Sequence, residues 1–578
     1  MKIGIRLSTR RRHPSQSIAM ISCKLVLLAG VLASWRHPSI STCAFAPSFR
    51  KMSGPERSCS LKNHREKTHR QQLSCSTTVK DYDIIIVGGG SAGLTAAKFA
   101  KTFQKSVAII ESSKLGGDCT WTGCVPSKTL LAEAKHIWNW KKINEKYGVD
   151  IVDSSLNEKI INDVKKQIDE NREQIYKADD SPEVLKSLGI DTISGKAFLL
   201  DKRKVEVSLN DSGVKCELNA KFGILLATGA TPKNLAKKIH GIDSVPYWTY
   251  ENVWDRFFDA SKEKRENRRV IVVGGGPIGV ELSQALFRLG SSVTIVARSP
   301  RLLPMAEEEA SLELQLALEE EGLNILCGNS VVSVCQIEST GGKKSISVTL
   351  DSNEVIQGDH ILVATGRAPN TRNMGLEAIG VQIDSKSGGI RVNRHLETSI
   401  KGIFAAGDCT GDRQFTHYAG FQGAIAARNI LLPLKDPGVL DEVPSTVFTD
   451  PEVASLGLTE DAARRRYGNN NVSVASRKLF SVDRSVCEQT QKFGFIKIVY
   501  HLKTNQILGA TIMAPAAGEL ISELNVAKEN DISLDKIAKV THSYPSYSIA
   551  LQQMAAEIYY EKLKKWTLVY SILKWIGL

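Results

Sequence analysis

Two stretches of the chain share the same order of apolar and polar positions. In the first, an apolar strand over residues 81–87 ends at a cluster of glycines, a helical pattern follows over 94–103, and a second apolar strand covers 107–110. In the second, the apolar strand 269–273 also ends at glycines, and another strand covers 293–296. Short apolar runs bounded by glycine are typical of buried strands. The repeat therefore predicts two domains of the α/β class, each with strand, glycine turn and helix in that order.

The glycines at the two strand ends keep the spacing Gly-x-Gly-x-x-Gly. Glycine lets the main chain turn tightly and approach a pyrophosphate at the N-terminus of the next helix. The first copy is a complete dinucleotide-binding fingerprint, because its second strand closes on Glu111, which can hold a ribose hydroxyl pair. The candidate dinucleotide-binding glycines are Gly88, Gly90 and Gly93 in the first copy and Gly274, Gly276 and Gly279 in the second.

The second copy differs at the position of the closing acid. Its second strand ends at Ala297, and Arg298 and Arg301 follow. No acid is present to hold a free 2′-hydroxyl, and two cations suit a 2′-phosphate. This favours NADPH over NADH, whereas two solvated surface charges are the alternative interpretation.

Three further apolar strands end in glycine turns, at residues 223–232, 361–369 and 402–411. They add four candidate cofactor contacts, which are Thr228, Gly229, Gly366 and Asp408. From Val443 the pattern changes to strands at 493–500 and 506–513 and helices at 515–529 and 546–560, which predicts a C-terminal α+β domain.

Composition is ordinary for a globular chain, with 42% hydrophobic and 24% charged residues. The net charge of +13 comes almost entirely from residues 1–79, which hold 14 Lys/Arg and 2 Asp/Glu. The rest of the chain shows no basic patch for nucleic acid. After residue 79 there is no run of 18 apolar residues, so the mature chain is not expected to span a membrane.

The basic leader has three parts. Arginines at 10–12 precede a mostly apolar run over 18–35, and Ala-Phe-Ala-Pro at 44–47 leads into a basic, serine-containing stretch. These are the marks of a signal peptide followed by a transit peptide. The junction resembles the bipartite presequence of algae with complex plastids, which predicts plastid import. The alternatives are an uncleaved membrane anchor, a mitochondrion or the secretory pathway.

Residues 115–128, Leu-Gly-Gly-Asp-Cys-Thr-Trp-Thr-Gly-Cys-Val-Pro-Ser-Lys, carry the candidate redox chemistry. Five helical steps would leave the side chains of Cys119 and Cys124 roughly 140° apart. We therefore expect Cys119 on a non-helical lead-in and Cys124 on the first turn of a helix, where the helix dipole favours a thiolate. This geometry predicts a disulfide that opens and closes. A structural disulfide and half a zinc site are the alternatives, but no other cysteine pair has the spacing of a zinc site, so no metal site is expected.

With these motifs in line, residues 80–560 resemble the class I pyridine nucleotide-disulfide oxidoreductases, which include dihydrolipoamide dehydrogenase, glutathione reductase and mercuric reductase. Asp118 and the Thr-Trp-Thr between the cysteines are most similar to the mercuric-reductase-like branch of cyanobacteria and algae. The resemblance implies an α/β fold with two Rossmann-like domains, for FAD and NAD(P), and a C-terminal α+β dimerisation domain. The implied bounds are 80–235 with 367–442 for FAD, 236–366 for NAD(P) and 443–560 for the dimerisation domain of a homodimer.

The resemblance also implies roles for single residues. Gly88, Gly90, Gly93, Glu111, Gly117, Thr228, Gly229, Gly366 and Asp408 would contact cofactor, chiefly FAD, while Gly274, Gly276, Gly279, Arg298 and Arg301 would bind the nicotinamide nucleotide. Lys128 and Glu281 would pair beside the flavin, Cys124 would lie against it, and Cys119 would attack substrate. Hydride would pass from NADPH through FAD to the Cys119–Cys124 disulfide, and then to a small disulfide or a soft metal such as Hg²⁺, serving cell redox homeostasis.

Three departures from the family pattern concern the substrate. Tyr544 stands where disulfide-reducing relatives have a catalytic histidine, and Ile549 where they have its glutamate partner. His542 is a candidate replacement base, although a merely satisfied polar residue is the alternative. His417 stands where mercuric reductases place a second tyrosine. The chain also has no cysteine after Cys487 to deliver Hg²⁺, so weak Hg²⁺ turnover is expected.

Residues 561–578 alternate lysines with large apolar residues and form a basic, apolar helix candidate. Packing against the dimer is one interpretation, and peripheral contact with a membrane surface is the other. For the whole chain, an NAD-dependent dihydrolipoamide dehydrogenase and a non-catalytic flavoprotein partner are the alternatives to the NADPH-dependent disulfide oxidoreductase.

Overall fold

Buried apolar strands alternate with helices along most of the chain. The computed structural model describes residues 79–148, 154–235, 238–259, 268–338 and 344–576. Apart from its last residue, the predicted leader lies outside the described residues. The α/β class expected from the sequence is confirmed, with two parallel sheets followed by an antiparallel C-terminal sheet.

The strands of the described residues are numbered in chain order. They are β1 (Lys80–Val87), β2 (Val107–Glu111), β3 (Ile190–Leu199), β4 (Lys204–Leu209), β5 (Lys215–Leu226), β6 (Ala230–Pro232), β7 (Tyr247–Trp248), β8 (Arg269–Val273), β9 (Ser292–Ala297), β10 (Asn324–Cys327), β11 (Val331–Glu338), β12 (Lys344–Leu350), β13 (Val355–Gly358), β14 (His360–Val363), β15 (Arg367–Pro369), β16 (Ile403–Ala405), β17 (Ser445–Val447), β18 (Glu452–Gly457), β19 (Val472–Lys478), β20 (Phe495–His501) and β21 (Ile507–Ala514).

The α-helices of the same residues are numbered likewise. They are α1 (Ser91–Thr102), α2 (Gly117–Trp121), α3 (Cys124–Tyr147), α4 (Ser154–Ile175), α5 (Pro182–Ser187), α6 (Val253–Asp259), α7 (Pro277–Arg288), α8 (Glu308–Glu321), α9 (Thr416–Leu431), α10 (Glu460–Tyr467), α11 (Asp483–Cys487), α12 (Ala517–Glu529), α13 (Leu534–Ile537) and α14 (Ile549–Trp575).

The first sheet is parallel in the order β3-β2-β1-β5-β16. Its central strand β1 is apolar on both faces, and Ile84, Ile85 and Ile86 are fully buried. Strand β4 pairs antiparallel with β3 and β5, because these two strands run on past the parallel part of the sheet. The predicted strand and glycine turn at 223–232 thus cover the end of the longer β5, the turn itself and β6.

The second sheet repeats this plan. It is parallel in the order β10-β9-β8-β14-β7, and an antiparallel meander, β11-β12-β13, follows β10 in the chain. The glycine turns after β1 and β8 therefore lie at equivalent places, at the carboxyl end of a central parallel strand. That is the edge of such a sheet where ligands bind.

The C-terminal sheet is antiparallel in the order β17-β18-β21-β20-β19, and its core includes residues of α12 and α14. Helix α14 extends to Trp575, so the predicted helices at 546–560 and 561–578 form one continuous helix over the described residues. Within those residues no helix is long and apolar enough to cross a membrane.

The second glycine turn offers a test of packing with a built-in control. A Cβ at Gly279 would overlap the carbonyl oxygen of Gly274, whereas no atom lies within 4 Å of a Cβ at Gly276. We expect Gly279→Ala to lower the free energy of unfolding by about 1–3 kcal/mol, as overpacking does. Gly276→Ala has extended backbone and should change it by less than about 0.5 kcal/mol. Denaturant unfolding measures both, and equal losses would contradict the packing argument.

Candidate active site

The two cysteines lie on two consecutive helices. Cys119 is in the middle of the short helix α2, and Cys124 is the first residue of α3. The expectation for Cys124 is confirmed, but the non-helical lead-in expected for Cys119 is wrong. The carbonyl oxygen of Asp118 accepts the main-chain N–H of Thr122 at 2.9 Å and closes a helical turn that the spacing alone did not reveal. Gly116, with a φ of 97°, starts that turn.

The two sulfurs lie close together as free thiols. The hydrogen bond from the Cys119 thiol to Cys124 raises the pKa of Cys119, and burial raises it further. The same bond lowers the pKa of Cys124 well below its ordinary value, against the effect of burial. The Thr416 hydroxyl, 3.1 Å from Cys124 Sγ, and the Lys128 cation lower that pKa further. These shifts favour a thiolate on Cys124 and a protonated thiol on Cys119.

Lys128 and Glu281 form an ion pair, as expected from the family pattern. Lys128 Nζ lies one helical turn after Cys124 and donates to Glu281 Oε2 at 2.8 Å. The Glu281 side chain is 7% exposed and that of Lys128 37% exposed. The pair joins α3 to α7, the helix that follows the second glycine turn.

A cavity of about 1630 Å³ lies at the first glycine turn. Eight of the predicted cofactor and redox residues lie in its wall: Gly88, Gly90, Glu111, Gly117, Cys119, Thr228, Gly229 and Asp408. Gly366, another predicted residue, directly precedes the lining residue Arg367.

These walls fit a flavin dinucleotide. No side chain caps the N-terminus of α1, so its main-chain N–H groups are available to a pyrophosphate. A Cβ at Gly88 or Gly93 would overlap a carbonyl oxygen, so the turn closes only with glycine. Glu111 accepts the N–H of Gly89 at 2.6 Å and lies where a ribose would be held.

Arg367 is a site residue that the sequence analysis missed. Its guanidinium forms ion pairs with Asp408 and Asp118, and its Nε donates to Tyr250 Oη at 3.1 Å. Burial raises the pKa of Asp408, although the Arg367 cation opposes it. The sequence contained one signal: the turns Ala-Thr-Gly-Ala at 227–230 and Ala-Thr-Gly-Arg at 364–367 are identical except at this position. In the structure the strands that follow them, β6 and β15, pair with each other.

The residues predicted to bind the nicotinamide nucleotide lie at the second glycine turn and just after β9. Helix α7 also begins without a side-chain cap, at Gly276, and Gly279 packs on Gly274. Arg298 directly follows β9 and is exposed. Arg301 is held by the carbonyl oxygen of Pro304 at 3.2 Å and by Glu308 at 3.7 Å. The two predicted cations thus differ, since Arg301 already has protein partners.

The candidate bases of the C-terminal domain make contacts within that domain. Tyr544 Oη donates to Asp483 at 2.9 Å, and this bond raises the pKa of Tyr544. His542 Nε2 donates to Glu523 at 2.7 Å, and its Nδ1 lies 3.1 Å from the carbonyl oxygen of Val540. The Glu523 carboxylate and the Val540 carbonyl oxygen thus hold the ring through both of its nitrogens.

His417 also contacts the main chain, since its Nε2 lies 2.9 Å from the carbonyl oxygen of Pro444. Burial lowers its pKa. Over the residues that the structure describes, no three His, Cys, Asp or Glu side chains form a group that could hold a metal ion.

Comparisons with known proteins agree with this geometry. Residues 82–423 match the pyridine nucleotide-disulphide oxidoreductase family, and residues 443–555 match the dimerisation domain of that family. The chain is 33% identical over 477 residues to a mercuric reductase of Lysinibacillus sphaericus, with 82% of each chain covered. It is 32% identical over 489 residues to a dihydrolipoyl dehydrogenase of Thermus scotoductus, covering 83% of this chain and 98% of that one.

Among solved structures, LpdA of Mycobacterium tuberculosis has a TM-score of 0.71 and 28% identity, with 83% of this chain and 100% of that chain covered. The HOCl-induced flavoprotein disulfide reductase RclA of Escherichia coli has a TM-score of 0.69 at 24% identity, covering 82% and 99%, and shares the fold. The matched segments include both glycine turns, the cysteine pair and the C-terminal sheet. The chain therefore belongs to the pyridine nucleotide-disulphide oxidoreductases, a family of FAD-dependent enzymes that use a pyridine nucleotide and carry a dimerisation domain.

Proposed function

We propose that this protein is an NADPH-dependent flavoprotein that reduces a small disulfide or a thiol-bound soft metal such as Hg²⁺, and so contributes to cell redox homeostasis. The observation that carries the proposal is the Cys119–Cys124 pair beside the dinucleotide cavity. Its two thiols have opposite pKa shifts, which suits a pair in which one sulfur is stored as thiolate and the other exchanges with substrate.

FAD held by Gly88, Gly90 and Glu111 would supply two-electron transfer between the nicotinamide and the cysteine disulfide. The remaining steps belong to the protein. In the reduced pair, Cys119 attacks one sulfur of the substrate disulfide and forms a mixed disulfide with it, while the other substrate sulfur leaves and takes up the proton that Cys119 gives up. The Cys124 thiolate then attacks Cys119 and releases the sulfur that was attacked first, which takes a proton from water. One substrate disulfide and two cysteines thus become two substrate thiols and one Cys119–Cys124 disulfide.

Turnover with a substrate panel tests this function. We expect the wild-type protein to oxidise NADPH with at least one of oxidised glutathione, lipoamide or Hg²⁺. Cys119→Ser and Cys124→Ser should each lower kcat by about 100-fold or more, because each removes one sulfur of the exchange. Cys487→Ser, an exposed cysteine of the C-terminal domain, is the matched control and should leave kcat unchanged. Full activity in either of the first two variants would exclude this mechanism.

Two alternatives have separate signatures. A dihydrolipoamide dehydrogenase would oxidise dihydrolipoamide with NAD⁺, and the relatives of that name support it, whereas Tyr544 and Ile549 in place of its histidine and glutamate do not. A non-catalytic flavoprotein would show no long-wavelength absorbance when titrated with NADPH. The paired Lys128 and Glu281 argue against that loss of chemistry.

The proposed preference for NADPH depends on Arg298. Because this exposed arginine follows β9 and Arg301 is bound to protein, Arg298→Ala should raise KM for NADPH about tenfold and leave KM for NADH nearly unchanged, as loss of a phosphate contact does. Arg465→Ala, an exposed arginine of α10, is the control. A parallel change with both nucleotides would contradict a 2′-phosphate contact.

We also propose roles for the two ends of the chain. The basic leader supports plastid import, which a fluorescent fusion of residues 1–79 tests by its location.

The last turns of α14 leave Tyr570, Ile572 and Trp575 exposed by 69%, 52% and 87% among several lysines, which supports peripheral contact with an anionic membrane. We expect anionic vesicles, but not neutral ones, to shift the tryptophan fluorescence of the full chain, and we expect no such shift for a chain that ends at 560. A full chain whose spectrum is the same with and without anionic vesicles would exclude this contact.

A further inference from the structure

A residue of the C-terminal domain, Phe448, contacts both side chains of the Lys128–Glu281 ion pair. It directly follows β17. Its main-chain N–H donates to Glu281 Oε1 at 2.9 Å, while Lys128 occupies Oε2 of the same carboxylate. The centre of its ring lies 4.4 Å from Lys128 Nζ. One residue thus contacts the anion with its main chain and the cation with its side chain.

Each contact meets a physical need. A carboxylate as buried as Glu281 requires a donor at each oxygen, because an unpaired oxygen would lose its hydration without replacement. Lys128 is partly exposed, and an ion pair with one exposed member leaves a long side chain mobile. An aromatic face that binds the ammonium restricts this freedom. The position of the Lys128 charge is therefore set by two elements, α7 and the segment after β17.

That segment is itself anchored to α7. Gln284, which is fully buried and lies one turn after Glu281, donates to the carbonyl oxygen of Asp450 at 2.9 Å and accepts its N–H at 2.8 Å. Arg288 and Lys135 hold the Asp450 carboxylate at 3.1 and 3.0 Å. Because these contacts hold the main chain at Asp450, they also restrict the direction of the Phe448 N–H two residues earlier.

We propose that Phe448 is a positioning residue of the active site, which holds the Lys128 ammonium and the Glu281 carboxylate in register beside Cys124. The C-terminal domain then contributes to the redox centre within its own chain, in addition to any part it plays in the dimer. The proposal deepens the proposed function and rests on it. A purely packing role for the ring is the competing explanation.

The groups around Cys124 give a readout that needs no turnover. Cys119, Thr416 and Lys128 stabilise its thiolate, and Glu281 opposes it. In full-length Cys119→Ser protein, the rate of iodoacetamide alkylation of Cys124 against pH, followed by peptide mass spectrometry, reports the pKa of Cys124. Phe448→Leu keeps the main-chain N–H and removes the ring, whereas Phe448→Tyr keeps both.

We expect Phe448→Leu to raise the pKa of Cys124 by about 0.5 unit, since the cation is then held less closely. Phe448→Tyr should restore the parent value. In a Lys128→Met background Phe448→Leu should add no further shift, because the ring acts through the ammonium. Phe448→Met replaces the leucine variant if the latter unfolds on a thermal scan.

An unchanged pKa in Phe448→Leu, or an equal shift with and without Lys128, would overturn the proposal in favour of packing. Because alkylation requires neither NADPH nor an acceptor, a negative result here leaves the substrate panel interpretable. Absence of turnover in that panel likewise leaves the pKa comparison interpretable.

Discussion

The site depends on three neighbouring charged groups, which are the Cys124 thiolate, the Lys128 ammonium and the Glu281 carboxylate. A thiolate at the start of α3 is stabilised by the helix dipole and by the ammonium one turn later. The ammonium in turn is held by a carboxylate from α7. Because Glu281 is buried, its charge is tolerated only while both oxygens are paired, and breaking such a pair leaves an uncompensated charge. The packing of α3 against α7 therefore does more than fill space, since it keeps the ionised sulfur beside the dinucleotide cavity.

The order of strand, glycine turn and helix occurs twice in the chain, and the two copies differ in the charge of one side chain at the end of the second strand. Both parallel sheets end a central strand in a glycine turn and open an uncapped helix there. In the first copy a carboxylate, Glu111, closes the unit and accepts main-chain N–H groups. In the second copy the exposed Arg298 follows the equivalent strand. The main-chain geometry explains why both turns suit a dinucleotide, and under the proposed function the side chain at the end of the second strand selects a free ribose at the first turn and a 2′-phosphate at the second.

The sequence predicted the elements around the two glycine turns because their information is local. Apolar runs and glycine spacing specify β1, α1 and β2 to within a few residues, and the same holds for β8 and β9. The helix around Cys119 was missed because it is closed by a main-chain hydrogen bond, which the N–H of Thr122 donates to the carbonyl oxygen of Asp118. A main-chain bond of this kind has no sequence pattern. Arg367 was missed for a different reason. Its partners, Asp118 and Asp408, are far apart in sequence and meet only when the turns at 227–230 and 364–367 pair.

Protonation of the leaving group is the step for which the sequence departs from the family pattern, at Tyr544 and Ile549. A substrate disulfide attacked by Cys119 releases a thiolate, which departs easily only if its own pKa is low or if an acid protonates it. Tyr544 has a raised pKa and donates to Asp483, while His542 is bound to Glu523 and Val540. Tyr544 is therefore a weak acid in this arrangement, whereas His542 has a carboxylate partner of the kind that orients an acid–base histidine. Under the proposed function, reduction of a disulfide acceptor depends on this proton, whereas a metal ion that exchanges thiolate ligands does not require it.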